Sequence, residues 1–398
     1  MTRCSEDDHS NIWETRHDRR TTRVCERRRW RSRCTERRAQ GSQSGHPSHP
    51  ELNYQERHAA KLLADNLEGH GFEVERAIGG VETAFRATLE GGAGDGPTVG
   101  LLVEYDVLPE IGHGCGHNLN AISNLGAGLA VNSVLDSLPG RIVVLGTPAE
   151  EGGGGKIRML EAGVFDDVDV SLSSHPASNL TNFDTDAPPG TTWSLAMAAR
   201  RFEYHGKAAH AAARPEAGVN ALNAVIHLFT GIDALRQHLR DDTRIHGVIT
   251  HGGTAANVVP EYAAADIMMR SRDRVYLAEV LEKVTGIAEG AASMTGARLE
   301  MPDPAPMYED VWPNTTLAGS AEAVAREIGM DVAPAPTGGR GSGASTDFGN
   351  VSQVMPSFAM RFAVSRDQVA GHSRLLTEAA RTDLAMAMHW TRRRCWGS

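Results

Sequence analysis

The sequence predicts an α/β protein: a mostly parallel sheet with helices on both faces, plus an inserted α+β domain of two layers. From about residue 50, strand and helix patterns alternate, which favours parallel strands joined by crossover helices. At about Thr191 the order changes to strand, helix, strand, strand, helix, which is typical of a small two-layer domain. The alternating pattern then returns. We expect an extension over 1–48, a main domain in two parts, 49–190 and 303–398, and the inserted domain, 191–302.

The spacing of apolar residues, and glycines at the ends of helical patterns, locate the individual elements. In the first part of the main domain, the expected helices cover 55–71, 118–138 and 155–163, and the expected strands cover 72–75, 83–90, 98–105, 141–148 and 168–175. In the inserted domain, the expected strands cover 194–206, 244–253 and 262–272, and the expected helices cover 218–239 and 276–292. The second part of the main domain adds a helix over 315–329, a strand over 356–364 and a last helix after residue 372.

Composition and charge restrict the classes of function. The formal net charge is −10 at pH 7 and the acidic residues are spread along the chain, which argues against nucleic acid as a partner. No apolar run approaches the roughly 20 residues that span a bilayer, and the start has no signal-peptide pattern. Five cysteines at irregular spacings do not make a disulfide framework in a chain of this size. We therefore expect a cytoplasmic protein without a membrane partner.

The first 48 residues differ from the rest of the chain. They are crowded with arginine and show no apolar periodicity, which predicts a disordered or non-native extension. A basic arm for nucleic acid is the alternative, which the interleaved acidic residues disfavour. The tail after about Met388 also loses the helical pattern. Cys115 is then the only cysteine in the ordered part of the chain.

Polar side chains follow the ends of three expected strands. Glu104 and Asp106 follow the strand that begins at residue 98, and Glu150 and Glu151 follow the strand that begins at residue 141. His175 ends a third strand. The carboxyl ends of parallel strands meet at one edge of a sheet, where open α/β sheets bind their ligands. We therefore expect these side chains to lie close together.

The segment GHGCGHN places Cys115 and His117 two residues apart, so that both side chains can point the same way. Thiolate, imidazole and carboxylate are the ligands of zinc and similar divalent ions. Because a tetrahedral ion takes about four ligands, the size of the set at this sheet edge suggests two ions. For any one of these residues alone, the alternative is a buried, hydrogen-bonded side chain.

The adjacent acids Glu150 and Glu151 suggest a division of roles. Two neighbouring carboxylates repel each other unless a cation holds one of them. The other is then free to act as a general base on the attacking water. The alternative is a solvated acidic turn. The glycines that follow allow the backbone to pass close to the site.

Several motifs occur in a fixed order between about His49 and about Ala385: EYDVLPEIGHGCGHN, GTPAEEGGGGKIRMLEAGVF, SSHP, FEYHGKAAHAAARPEAGVNALNAV, GGTAANVVPEYA, STDFGNVSQVMPS and GHS. Together they resemble the aminoacylase and carboxypeptidase family of dimetal hydrolases. The resemblance is greatest to the branch with aminobenzoyl-glutamate hydrolase, indole-acetyl-amino-acid hydrolases and M20-domain dipeptidases. It implies a zinc-exopeptidase-like catalytic domain, with the inserted domain as a lid and dimerisation domain.

The resemblance also implies roles for individual residues. The implied metal ligands are Cys115, which would bridge two ions, and His117, Glu151, His175 and His372. Glu150 would be the general base, and Asp106 would orient a ligand imidazole. His113 would lie near the site without binding metal.

In the inserted domain, the resemblance implies three residues that act on substrate. His210 would reach the scissile carbonyl, usually in the partner subunit of a homodimer. Asn257 would bind substrate, and Arg270 would bind a substrate carboxylate.

The expected activity is metal-dependent hydrolysis of the amide bond of N-acyl amino acids or aminobenzoyl-glutamate-like conjugates. The alternatives are a dipeptidase or carboxypeptidase of the same family, and a non-catalytic metal-binding protein on this fold. The intact pair Glu150–Glu151 argues against the last, because a binding protein needs no spare base. The expected cofactors are two divalent ions per chain, of zinc, manganese or cobalt, and the expected partner is a small-molecule amide substrate.

Overall fold

The computed structural model describes residues 49–183, 194–302, 305–333 and 344–382. The extension expected over 1–48 and the tail after Met388 lie outside the described residues. The described chain forms one six-stranded and one four-stranded sheet. This confirms the predicted fold class, while the domain boundaries drawn from the sequence stay a prediction.

The elements occur in the order that the sequence predicts. The chain begins with α1 (Arg57–Glu68), β1 (Glu73–Arg76), β2 (Phe85–Glu90), β3 (Thr98–Val103), α2 (His117–Asn132), β4 (Arg141–Gly146), α3 (Gly155–Glu161) and β5 (Val170–Ala177). It continues with β6 (Ala196–His205), α4 (Ala221–Arg236), β7 (Arg244–His251), β8 (Tyr262–Ser271), α5 (Arg274–Thr295) and β9 (Arg298–Glu300). It ends with α6 (Thr315–Glu327), α7 (Phe348–Val354), β10 (Ser357–Ala363) and α8 (Arg374–Ala379). Among these, β9 and α7 were not expected from the sequence.

The six-stranded sheet has the strand order β1-β2-β4-β3-β5-β10. Strands β4, β3, β5 and β10 are parallel, whereas β1 and β2 join one side of the sheet in antiparallel pairs. The antiparallel pair has a simple reason: the link between β1 and β2 is too short for a crossover helix. The parallel core places the carboxyl ends of β4, β3 and β5 side by side.

Helices cover both faces of this sheet, as predicted. Leu101 and Val103 of β3 lie in a core shared with α1 and α2. Leu102, between them, lies in a second core with Met159 of α3 and Val351 of α7. This alternation is the two-residue period of a strand, and burial on both faces explains the continuous apolar run of β3.

The four-stranded sheet is antiparallel, with the strand order β7-β8-β6-β9. Helices α4 and α5 contribute to a common core with its strands, which makes two layers. Strand β7 lies at the edge of this sheet, and apart from Ile245 its residues are exposed. In the described part of the chain, no helix combines the length and apolar character required to cross a bilayer.

Candidate metal centre and substrate-binding residues

The carboxyl ends of three neighbouring parallel strands carry the predicted polar side chains. Glu104 and Asp106 follow β3, Glu150 and Glu151 follow β4, and His175 lies near the end of β5. The sheet order therefore brings these groups together, as expected from the sequence.

A turn before α2 brings Cys115 and His117 to the same edge. Gly116, between them, has a φ of 85°. A Cβ there would lie 2.9 Å from the Pro176 side chain. Only glycine accepts both the left-handed backbone and this close approach without strain. The turn thus brings the Cys115 sulfur to 3.6 Å from Nε2 of His175.

The last of the implied ligands, His372, comes from the turn before α8. Its side-chain Nε2 lies 3.6 Å from Oε2 of Glu151. Its φ of 53° is uncommon for a residue with a side chain, and such strain is found at functional sites. A hydrogen bond of 3.0 Å from the His372 backbone N–H to the carbonyl of Gly114 holds the turn against the Cys115 segment.

Three sets of possible ligands that include a cysteine or histidine lie at this edge, and the ligand atoms of each set are within 4.8 Å of one another: Cys115, His117 and His175; Cys115, Glu151 and His372; and His117, Glu150 and Glu151. A further set at this edge, Glu104, Glu150 and Asp347, consists of carboxylates alone. Cys115 belongs to two of these sets. The structure therefore brings together all five implied metal ligands, together with the implied base Glu150. Their roles remain predictions.

Asp106 orients two of these groups. One carboxylate oxygen lies 2.8 Å from Nδ1 of His117, and the other accepts a hydrogen bond of 2.8 Å from the backbone N–H of Glu151. With its Nδ1 bound to Asp106, His117 presents Nε2 to the site. This matches the predicted orienting role of Asp106.

Two buried atoms at the site have no hydrogen-bond partner: Nε2 of His117 and Oε1 of Glu151. Nε2 of His117 also lies 3.7 Å from a carboxylate oxygen of Glu150. Buried polar atoms are normally paired, and these two are of the types that bind a divalent ion. The residues therefore fit a metal ion by their chemistry and by their unsatisfied atoms.

Burial alone would lower the pKa of His117, but the Asp106 carboxylate outweighs it and raises this pKa well above its usual range. Burial is the dominant influence on the pKa values of His175, Glu150, Glu151 and Cys115. It lowers the pKa of His175 to about 4, so the imidazole is neutral, as a metal ligand must be. Burial raises the pKa of Glu150 well above its usual range, and the neighbouring Glu104 raises it further. Burial also raises the pKa values of Glu151 and of the Cys115 thiol. A divalent cation would reverse these increases by stabilising the ionised ligands.

His113 lies in the same segment as Cys115, but none of the three ligand sets includes it. Its Nδ1 atom is buried without a hydrogen-bond partner, and burial lowers its pKa to about 4. This is consistent with the prediction of a neighbouring residue that does not bind metal.

His210 and Asn257 lie together in the part of the chain that forms the four-stranded sheet. Both are exposed, and the Ala211 N–H donates a hydrogen bond of 3.0 Å to the Asn257 carbonyl. Nδ1 of His210 accepts from the backbone N–H groups of Ala212 and Ala213. A neutral imidazole held in this way carries its proton on Nε2. The side chain can therefore donate a hydrogen bond to a substrate.

Arg270 lies on β8 and is partly buried, and burial lowers its pKa. Its guanidinium donates a hydrogen bond of 2.9 Å to the hydroxyl of Ser345 in the STDFGN motif. Arg270 thus reaches from the four-stranded sheet to the segment that leads into α7. Its implied role in binding a substrate carboxylate stays a prediction.

Comparison with known proteins identifies the family. Residues 100–387 match Peptidase family M20/M25/M40. The chain belongs to this family. It is therefore an M20 metal-dependent hydrolase, as the resemblance implied.

Characterised relatives cover most of the chain. Xaa-Arg dipeptidase of Mus musculus is 36% identical over 85% of this chain and 79% of its own length. The Homo sapiens Xaa-Arg dipeptidase is 35% identical over 84% of this chain and 78% of its own length. A p-aminobenzoyl-glutamate hydrolase chain from Escherichia coli K12 is 36% identical, over 63% of this chain and 54% of its own length.

Solved structures share the M20 fold. An aminobenzoyl-glutamate utilization protein from Klebsiella pneumoniae aligns with a TM-score of 0.65 at 22% identity, over 91% of this chain and 95% of its own. A dinuclear metal-binding M20 peptidase from Bacillus subtilis aligns with a TM-score of 0.61 at 21% identity, over 91% of this chain and 98% of its own. At these identities the likeness concerns the fold.

The M20 site also contains a buried ion network that the sequence analysis did not find. The Lys156 ammonium lies 2.8 Å from Glu104 and 2.6 Å from Asp347, and all three side chains are almost completely buried. Burial alone would lower the pKa of Lys156, but the two carboxylates outweigh it and raise the pKa. Lys156 and Asp347 are 191 residues apart, so no local pattern links them. The only available signal was a charged residue in each of two glycine-rich motifs.

Replacing Lys156 by methionine should destabilise the fold strongly. Glu104 and Asp347 would then be buried without their cation, and breaking a buried pair in this way costs roughly 3–5 kcal/mol. The control is Arg57→Ala, because Arg57 and Glu82 form an ion pair that is more than half exposed. That change should destabilise the fold far less, because exposed ion pairs contribute little to stability. Denaturant unfolding measures both, and equal losses would contradict this account of the network.

Proposed function

We propose that the chain is a metal-dependent dipeptidase that cleaves small dipeptides with a basic carboxyl-terminal residue. The observation that supports the hydrolytic chemistry is the convergence of the five implied metal ligands at one sheet edge, with Glu150 beside the unpaired Nε2 of His117. The Xaa-Arg dipeptidases, similar over more than three quarters of their length, support the dipeptide substrate.

Two divalent ions per chain would be held by Cys115, His117, Glu151, His175 and His372. The set of Cys115, His117 and His175 and the set of Cys115, Glu151 and His372 have only Cys115 in common and together contain all five implied ligands, which supports Cys115 as the shared ligand. When bound, the ions would supply Lewis-acid activation of water and of the substrate carbonyl. The ligand set suits zinc, manganese or cobalt.

Glu150 would carry the proton. Its carboxylate lies beside His117, and its position after β4 places it at the same sheet edge as the ligands. It would accept a proton from the attacking water and donate it to the leaving amine, so that the proton balance of the reaction closes. The proton on Nε2 of His210 would stabilise the negative charge that develops on the carbonyl oxygen. Asn257 would bind substrate beside His210, and Arg270 would hold the free carboxylate.

Hydrolysis of aminobenzoyl-glutamate-like conjugates or of N-acyl amino acids is the second candidate, and the sequence analysis favoured it. The similarity to the p-aminobenzoyl-glutamate hydrolase chain supports it. The similarity to the Xaa-Arg dipeptidases extends over more of both chains and therefore favours the dipeptide. Arg270 would serve either substrate, because both end in a free carboxylate.

A substrate panel distinguishes the two candidates. Metal-loaded protein is incubated with alanyl-arginine, alanyl-lysine, alanyl-glutamate, aminobenzoyl-glutamate and N-acetylmethionine, and the released amine is measured. We expect kcat/KM for alanyl-arginine or alanyl-lysine to exceed the other values at least about tenfold, because only those two carry the basic side chain. A preference for aminobenzoyl-glutamate or N-acetylmethionine would instead support the second candidate.

A homodimer through the four-stranded sheet is part of the proposal. Strand β7 is an exposed edge strand that carries Val248 and Ile249, and Ile226 of α4 is also exposed. Edge strands with apolar side chains are templates for pairing with another chain. Pairing with a second copy of β7 would be two-fold symmetric and would join the two sheets. Such a dimer would allow His210 to act in the partner's site.

Mixing two inactive variants tests this arrangement. His210→Ala and Glu150→Ala are each expected to be inactive, and are combined under conditions that exchange subunits. If His210 acts across the interface, one site of each mixed dimer contains both native residues, and activity should return to about a quarter of the native value. The control is each variant exchanged with itself. Mixed dimers that form, as mass measurement shows, yet stay inactive would place His210 in its own chain's site or outside the reaction.

A further inference from the structure

Residues 149–156 lead from the loop after β4 into the first turn of α3, and they contain Glu150 and Glu151 followed by four glycines. Such a run has little conformational preference of its own. Its backbone is held instead by side chains from distant segments. The contacts are Ala149 N–H to Glu56, Glu151 N–H to Asp106, Tyr54 hydroxyl to Gly153 carbonyl, and Lys156 N–H to Asp347. The position of Glu150 therefore depends on these hydrogen bonds.

One further side chain holds the loop at two points. The Tyr308 hydroxyl donates a hydrogen bond of 2.8 Å to the carbonyl of Glu150 and accepts one of 2.8 Å from the N–H of Gly154. These bonds use the hydroxyl as both donor and acceptor, and Tyr308 is 2% exposed. The hydroxyl thus spans the glycine run and fixes the backbone of Glu150 itself.

Tyr308 also forms an isolated bridge to the four-stranded sheet. Its backbone pairs with Met197 of β6 through hydrogen bonds of 2.8 and 2.9 Å. Its ring packs against Met197 and Ile157, with Ala199 and Met268 next to them. Three of these four residues belong to β6 and β8. The flanking residues Met307 and Glu309 are hydrogen-bonded to Asn350 of α7, so the ring lies where the four-stranded sheet meets α3 and α7.

We propose that Tyr308 is a positioning residue that couples the inserted four-stranded sheet to the base Glu150. A movement of β6 carries the phenol with it, and the two hydrogen bonds of the hydroxyl transmit that movement to the loop. Glu150 is then aligned only when the sheet holding the substrate-binding residues is in place. This inference rests on the proposed role of Glu150 as the base. It adds a residue that links substrate binding to alignment of that base, as closing lids do in other enzymes.

Tyr308→Phe tests the coupling because it keeps the ring and its packing but removes both hydrogen bonds to the loop. With alanyl-arginine, or the panel substrate turned over fastest, we expect kcat to fall about 10- to 100-fold. KM should stay within about twofold, and metal content should not change. The matched control is Tyr204→Phe, a buried tyrosine of the same sheet whose hydroxyl bonds to Ala288 and not to the loop. It should retain native kcat.

A merely structural role would give a different result in the Glu150→Gln background. If Tyr308 acts through Glu150, adding Tyr308→Phe to Glu150→Gln should lower kcat by less than about twofold further, because the effects are not additive. Full additivity would overturn the proposal, and so would a native kcat for Tyr308→Phe. A native kcat for Glu150→Gln alone would refute the proposed function. Failure of the proposed function can therefore be distinguished from failure of the proposal about Tyr308. If the Tyr308→Phe protein does not fold, Met197→Ala is tested in its place, because it removes a side chain that packs with the Tyr308 ring. The same results would then support or overturn the proposal.

Discussion

The concentration of buried carboxylates at the carboxyl edge of the six-stranded sheet is the constraint on which the rest of the site depends. Glu104, Asp106, Glu150 and Asp347 are almost completely buried there, and Glu151 is largely so. Such groups cannot all ionise in a protein interior without nearby cations. Lys156 provides one positive charge, for Glu104 and Asp347. The remaining acids lie beside Cys115 and the histidines, where divalent ions would complete the balance of charge.

This division explains why the site has two layers. The inner layer is the ion network of Lys156, which joins the end of β3 to α3 and to the segment before α7. The outer layer is the ligand group, in which Asp106 fixes both His117 and the backbone of Glu151. The inner layer supports the outer one because Lys156, in the first turn of α3, follows Glu151 by five residues. Lys156 would then keep Glu104 from competing for metal, although Glu104 lies 3.6 Å from Nε2 of His117.

The sequence predicted much of the fold, and the convergence of polar side chains at one sheet edge, because both depend on local patterns. The apolar runs of β3 and β4 located the strands, and the order of strands and helices placed Glu104, Glu150 and His175 at one edge. The antiparallel pairing of β1 and β2, the short strand β9 and the helix α7 were missed, since short elements carry weak periodicity. The contacts of Lys156 with Asp347 and of Tyr308 with the glycine loop join segments more than 150 residues apart. No spacing along the chain encodes such a pair, so only the folded structure could show them.

The measurement that tests the account most directly is the metal content of three purified proteins, the native chain, Glu150→Gln and Glu151→Gln, after reconstitution with zinc or manganese. Elemental analysis should give close to two ions per chain for the native protein and for Glu150→Gln, because Glu150 is assigned as the base and not as a ligand. Glu151→Gln should bind clearly less metal. Glu150→Gln should also lose several orders of magnitude in turnover while keeping its metal. One ion or fewer in a fully active native protein, or equal metal content and equal turnover in the two variants, would contradict the account.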